Sequence, residues 1–193
     1  RRMERFQQDP WPRWIFQLED GTRIEQEIFV RHGTAIAALS WRTLTPGTQA
    51  KLFVRPFFSG RDYHSVHHEN QAFRFDPEQS GGRCIWRPYD GIPPIISLTN
   101  GTYVHRSEWY RNFLYEEERD RGLDFTEDLA SPGIIEWDLA RGEAAWILGA
   151  GGFENDFLPQ GMGAAESLAV LRKAEERRRS GFQSKLHRAA DSY

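Results

Sequence analysis

Arg13-Trp14-Ile15-Phe16-Gln17-Leu18-Glu19-Asp20-Gly21-Thr22-Arg23-Ile24-Glu25-Gln26-Glu27-Ile28-Phe29-Val30-Arg31 sets the reading of the whole chain. Large and polar residues alternate from Arg13 to Leu18 and again from Arg23 to Arg31. A period of two puts successive side chains on opposite faces of an extended strand, which a helix cannot do. Asp20-Gly21 between the two runs is a strong hairpin signal, read here as a type I′ turn with positive φ at both central residues.

The same pattern continues in both directions. Ala35–Thr43 reads as a third strand and Ala50–Phe58 as a fourth, with Leu52, Val54 and Pro56 on one face. With short connections, these four form a meander. Gln71–Asp76 and Arg83–Tyr89 read as strands separated by a Pro/Ser/Gly loop. Ile95–Thr99, Asn100-Gly101 and Tyr103–Tyr115 read as another hairpin, because Asn-Gly favours the same primed turns. Ile134–Leu139 and Ala144–Ala150 flank Ala140-Arg141-Gly142-Glu143 as a further one, and Glu116–Asp124 is a charge run suited to a helical turn or exposed loop. Regularly spaced strands with little helix between them predict an all-β, antiparallel β-sandwich over residues 1–158.

Near Gly151 the period changes. Met162, Ala165, Leu168, Ala169 and Leu171 recur at helical spacing, and Glu175 stands one turn before Arg179 on what reads as a solvated end. Gly181 reads as a stop. A second stripe, Phe182, Leu186, Ala189, Ala190 and Tyr193, reaches the last residue without a cap. Residues 159–193 are therefore expected to be a helical linker leading into a further domain. The first residue, Arg rather than Met, agrees with a piece of a longer protein.

Composition narrows the function classes. The net charge of −3 gives no basic field for a phosphate backbone, so no nucleic-acid partner is expected. No apolar run approaches the ~20 residues of a membrane-spanning helix, and no signal peptide opens the chain. The expectation is a cytoplasmic protein with no membrane partner. The one cysteine, Cys84, excludes an internal disulfide and reads as a buried, inert thiol. Aromatic residues reach 13%, with 7 Trp, which suits either a bulky β core or a surface that meets sugars, bases or another domain.

Arg61-Asp62-Tyr63-His64, followed by His67 and His68, is the densest polar cluster. On a helix His64 and His68 would share a face and could hold zinc, but no third ligand is evident, and the expectation is no metal and no cofactor. As a loop, the cluster either pairs internally or presents Arg, Asp, Tyr and His to a hydroxyl-rich ligand. Trp86, Tyr89, Trp109, Tyr110 and Arg111 are either aromatic platforms for a ligand or cross-strand packing. Glu116, Glu117, Glu118, Asp120, Asp124, Glu127 and Asp128 include enough carboxylates for a glycosidase pair, but a charge run in one loop more often forms a solvated face. No nucleophile elbow, phosphate loop or dinucleotide fingerprint is present.

Taken in order, Pro12-Arg13-Trp14, Asp20-Gly21, Glu25–Arg31, Leu52-Phe53-Val54-Arg55-Pro56-Phe57-Phe58, Arg61-Asp62-Tyr63-His64, Trp109-Tyr110-Arg111-Asn112-Phe113, Glu127-Asp128-Leu129 and Pro132-Gly133 form a familiar series. It resembles the N-terminal domain of bacterial and archaeal glycogen debranching enzymes of the amylo-α-1,6-glucosidase type, from about Trp11 to Ala150. The resemblance implies a supersandwich, galactose-mutarotase-like and similar to the N-terminal domains of bacterial glucoamylases, followed by an (α/α) toroid that carries the catalytic acid and base. It implies a chain with no catalytic residue of its own, whose partners are that catalytic domain and, at its border, α-glucan. Arg61, Asp62, Tyr63, His64, Trp86, Tyr89, Trp109, Tyr110 and Arg111 are then the candidates for glucan or domain contact. The other reading is a stand-alone carbohydrate-binding sandwich, which needs Trp86, Trp109 and Tyr110 as an exposed row. Family members carry more residues before Trp11, so at least one N-terminal strand is expected to be absent.

Overall fold

The computed structural model describes residues 2–62, 64–151 and 161–191. In chain order the strands are β1 (Arg2–Gln7), β2 (Arg13–Gln17), β3 (Arg23–Val30), β4 (Ile36–Thr43), β5 (Lys51–Val54), β6 (Pro77–Ser80), β7 (Arg83–Trp86), β8 (Ile95–Thr99), β9 (Thr102–Leu114), β10 (Thr126–Asp138) and β11 (Ala144–Ala150). Helix α1 (Glu116–Asp120) joins β9 to β10, and α2 (Ala164–Ser180) and α3 (Lys185–Ala190) follow the last strand. An eight-stranded antiparallel sheet runs β1-β2-β3-β4-β11-β8-β7-β6, and a three-stranded sheet, β5-β10-β9, packs on one of its faces. The all-β sandwich expectation holds.

Alternation explains the layers. On β11 Ala145 and Ile147 join Phe29, Ile36, Ala38 and Ile96 beneath Ala164, Leu168 and Leu171 of α2. The intervening Ala144 and Trp146 point the other way, to Trp41, Ile135 and Trp137 between the sheets. A strand covered on both faces reads as one apolar run, which is why Ala144–Ala150 (AAWILGA) shows no polar alternation. Trp41 and Trp137 meet across the sheets with ring centroids 5.8 Å apart. Phe58, Phe73, Cys84, Trp86 and Ala130 extend this inner core, where burial pushes the Cys84 thiol up to about 11.

Several connections differ from the sequence reading. The fourth strand does not complete a meander: β5 leaves β4 and pairs with β10, Leu52 opposite Trp137 and Val54 opposite Ile135. Asn100-Gly101 is a crossing between sheets and not a hairpin. The Asn100 side chain accepts hydrogen bonds from Trp137 Nε1 (2.9 Å) and Ala145 N (2.8 Å) and donates to the Glu143 carbonyl (2.8 Å). A Cβ on Gly101 would lie 2.5 Å from the Trp137 ring, so only glycine lets the backbone pass. Ala140–Glu143 is likewise a crossing, begun by a 3-10 turn at Leu139–Arg141 whose Ala140 N–H is capped by Asp138.

Gln71–Asp76 is loop, and the Pro/Ser/Gly stretch read as loop supplies β6, because Pro77–Ser80 pairs with Arg83–Trp86 around Gly81-Gly82. Asp20-Gly21 does turn the chain, with one positive φ instead of two: Gly21 has φ 83°, and Asp20 accepts the Thr22 N–H at 2.9 Å. That is a three-residue loop ending in a left-handed glycine. The alternation reading starts the sheet at Arg13; the structure adds β1, an edge strand paired with β2.

Helix α2 is tied to the large sheet by charge as well as by apolar contact. Arg172 donates to Glu27 (Nε–Oε1 2.7 Å), Glu143 (Nη2–Oε1 2.6 Å) and Ser40 (3.2 Å), and Trp11 Nε1 donates to the other Glu27 oxygen at 3.1 Å. Glu175 is not on a solvated end. It is buried, accepting the His32 N–H at 3.0 Å and the Arg178 guanidinium at 2.8 Å. The helical boundary placed at residue 158 lies outside the described residues.

Candidate functional site

The long β9–β10 pair carries the polar cluster at one end. Two residues of β9, Arg111 and Asn112, stand opposite the single residue Asp128, a bulge that bends the strand. Asn112 sits at φ 60°, a conformation asparagine tolerates better than most, and donates its N–H to Asp128 Oδ1 at 2.9 Å. A second bulge places Arg106 and Ser107 opposite Pro132, which has no N–H to give the ladder.

Onto this bent end folds the loop that follows Phe58. Glu127, 1% exposed, is its anchor. Its carboxylate takes the Arg61 guanidinium at both oxygens, the Tyr115 hydroxyl at Oε2 and the His67 N–H at 3.1 Å. Asp128 takes the Glu69 N–H at 3.0 Å. The His67 ring is fixed at both nitrogens: Nδ1 lies 3.2 Å from the Asp128 carbonyl and Nε2 lies 2.6 Å from the Tyr89 hydroxyl. A carbonyl can only accept, so Nδ1 carries the proton and Tyr89 donates to Nε2, while Asn70 donates to the Tyr89 oxygen at 2.6 Å. Trp109 and Phe73 pack on the ring at 5.3 and 5.9 Å.

Burial acts against the charged form of Glu127, yet hydrogen bonds from Arg61 and Tyr115 more than offset it and hold the carboxyl below its ordinary range. Burial is also the main influence on His67, and it pushes the imidazole below its ordinary 6.5. Both shifts have the same sign for stability. A group whose pKa falls on folding stabilises the fold above its unfolded value, and that stabilisation is lost as pH falls towards the folded value. Stability is therefore expected to be flat above pH about 7, to decline below about 6.5 as His67 must be charged, and to fall further below about 4.5 as Glu127 is neutralised. Chemical denaturation followed against pH, with His67→Gln as comparison, checks this: the variant loses the upper step and keeps the lower one.

The sequence candidates divide among three environments. Arg61 is spent on Glu127, and Asp62 accepts the His64 N–H at 2.9 Å, so the loop is braced from within. Tyr63 lies outside the described residues. The described part of 61–70 contains no helix, so the shared helical face of His64 and His68 does not arise; His68 Nδ1 lies 3.7 Å from Asp128. Trp86, 1% exposed, is core between Phe58 and Tyr103, and Trp109 is half-buried against His67, Phe73 and Phe75. Tyr89 belongs to the His67 lock. Tyr110 turns to the outer face, edge-on to Phe57 at 4.9 Å and under Arg55 at 5.2 Å, and exposed Arg111 pairs with Glu69. The three aromatics do not form an exposed row. Glu127, which reads in the sequence as one carboxylate among many, proves to be the centre of the cluster. Its signal there was its place in Glu127-Asp128-Leu129 of the ordered motif series, which did not set it apart from Asp128.

The family model described as "Glycogen debranching enzyme N terminal" matches residues 1–146. The chain belongs to that family. No curated protein and no solved structure gives a match. The matched span takes in both sheets from β1 to the first residues of β11, and so includes Arg61, Glu127 and every partner in the His67 lock. No helix among the described residues is long and apolar enough to cross a membrane.

Proposed function

We propose that this chain is the non-catalytic N-terminal β-sandwich of an amylo-α-1,6-glucosidase, which packs against a catalytic (α/α) toroid and borders its glucan cleft. The family membership carries the reading. The polar cluster supports it: Arg61, Glu127, Tyr115, His67 and Tyr89 satisfy one another in a locked loop, an arrangement that shapes a surface and leaves no acid–base pair poised for substrate. Beside the lock, Phe57, Tyr110 and Arg111 offer the side chains for the domain contact. Glycogen breakdown in the cytoplasm is the setting this reading gives the chain.

The test is reconstitution. The 193-residue chain and the separately expressed catalytic part are expected to co-elute, and debranching of a branched dextrin should require both. Tyr110→Asp should weaken association at least about tenfold, and Tyr110→Phe, which keeps the contacts with Phe57 and Arg55, should leave the thermal midpoint nearly unchanged, since only the aspartate places a charge to be desolvated at the contact. Hydrolysis by the chain alone, or full activity of the catalytic part without it, would overturn the proposal.

A further inference from the structure

At the opposite end of β10 from the Glu127 lock lies an open groove of about 360 Å³, within the range of small-ligand clefts. Its floor is rigid. Gly101 passes against the Trp137 ring, and Asn100 is held there by its three hydrogen bonds. Pairing sets the rim: Lys51 stands opposite Asp138, while Phe53, Glu136 and Thr102 stand abreast across the three strands. Alternation turns these residues outward, because Leu52, Ile135, Trp137 and Tyr103 between them face the core.

Phe53 is 58% exposed, a large apolar ring left in water. Neighbouring residues on a sheet face stand about 5 Å apart, so Phe53 and the Glu136 carboxylate can meet one ligand together. Among the described residues neither Lys51 nor Glu136 has a side-chain hydrogen bond or ion pair, whereas Asp138 is spent on Ala140 N and Glu143 on Arg172. The groove thus offers an aromatic face, one donor group, one acceptor group and the Thr102 hydroxyl.

We infer that this groove binds a neutral saccharide, with Phe53 against the ring's C–H face and Glu136, Lys51 and Thr102 on its hydroxyls. An aromatic face is electronegative and accepts the weakly positive C–H edges of a pyranose. Hydroxyls both donate and accept, so they satisfy a carboxylate and an ammonium side by side. Asp138 and Arg141 offset each other as an ion pair at 3.5 Å, so a phosphate would face Glu136 and a cation would face Lys51; a neutral polyol meets neither penalty. The inference goes beyond the domain-packing reading and rests on it only for the choice of maltotriose as first probe.

Amide chemical shifts of the 193-residue chain, followed by NMR during titration with maltotriose and separately with cellotriose, provide the test. The expected result is saturable shifts clustered at Lys51, Phe53, Gly101, Thr102, Glu136 and Arg141. Phe53→Ala and Glu136→Gln should each weaken binding at least about tenfold with the thermal midpoint unchanged, as both side chains lie on the surface. Absent or scattered shifts with both sugars, or undiminished binding by Phe53→Ala, would overturn it. Binding of cellotriose alone supports the saccharide groove and counts against an α-glucan role. Failed co-elution with a normal titration counts against the domain-packing reading alone.

Discussion

Glu127→Ala is expected to destabilise the chain by about 3 kcal/mol, because one buried carboxylate holds three partners, Arg61, Tyr115 and the His67 N–H. Arg61 loses its carboxylate, the Tyr115 hydroxyl loses its acceptor, and the His67 N–H is left without the oxygen that held it at 3.1 Å. Removing one member of a buried ion pair typically costs about 3–5 kcal/mol, and the partial exposure of Arg61 argues for the lower end. For a chain of this size the thermal midpoint should drop by roughly 6–12 °C. Amide exchange should quicken most in the loop through Glu69 and at the end of β9 near Asn112, beyond the smaller rise that the lower global stability gives the core. Glu127→Gln keeps the shape and one acceptor, so its loss should be smaller. A cost under about 1 kcal/mol for the alanine variant would show that the loop stands without its anchor.

Arg172→Met should cost a similar amount, about 3 kcal/mol, for a different reason. Methionine fits the stem of arginine and preserves packing, so what is lost is the charge that neutralises Glu27. That carboxylate is 7% exposed and would keep only the Trp11 indole N–H as a partner. Because Arg172 reaches β3, β4 and the turn before β11 at once, the loss should appear as faster exchange along α2 more than within β3. The double variant Glu27→Gln/Arg172→Met is the decisive control: it removes the stranded charge and should recover at least about 1 kcal/mol. If the two single losses simply add in the double variant, the helix is held by Leu168 and Leu171 alone.

These two anchors show where sequence reading stops. Glu127 and Arg61 are 66 positions apart, and Arg172 and Glu27 are 145 apart. No local pattern links such pairs. Glu175 read as a solvated residue because its i+3 and i+4 neighbours are arginines, a spacing common on exposed helices. Its burial depends on the His32 backbone arriving from the other end of the chain. Strand β1 escaped the alternation reading because Arg2-Met3-Glu4-Arg5-Phe6-Gln7 is exposed along almost its whole length; it is a strand only because β2 offers an unpaired edge.

The sequence by itself determined that the chain is a β-sandwich of this family with helix after it, since alternation, turn residues and the ordered motif series are local properties of the chain. It also determined Cys84 as buried and inert and Leu52 and Val54 as sharing one face of a strand, for the same reason. Which strands share a sheet was decided only by tertiary structure. Asn100-Gly101 and Ala140–Glu143 have the chemistry of hairpins, yet Asn100 serves Trp137, Ala145 and Glu143 together, and those bonds carry the chain from one sheet to the other. The fate of the candidate residues was decided in the same way. Whether Arg61, Trp86 or Trp109 faces a ligand or the interior depends on what lies opposite, and Glu127, Phe58 and His67 come from other parts of the chain.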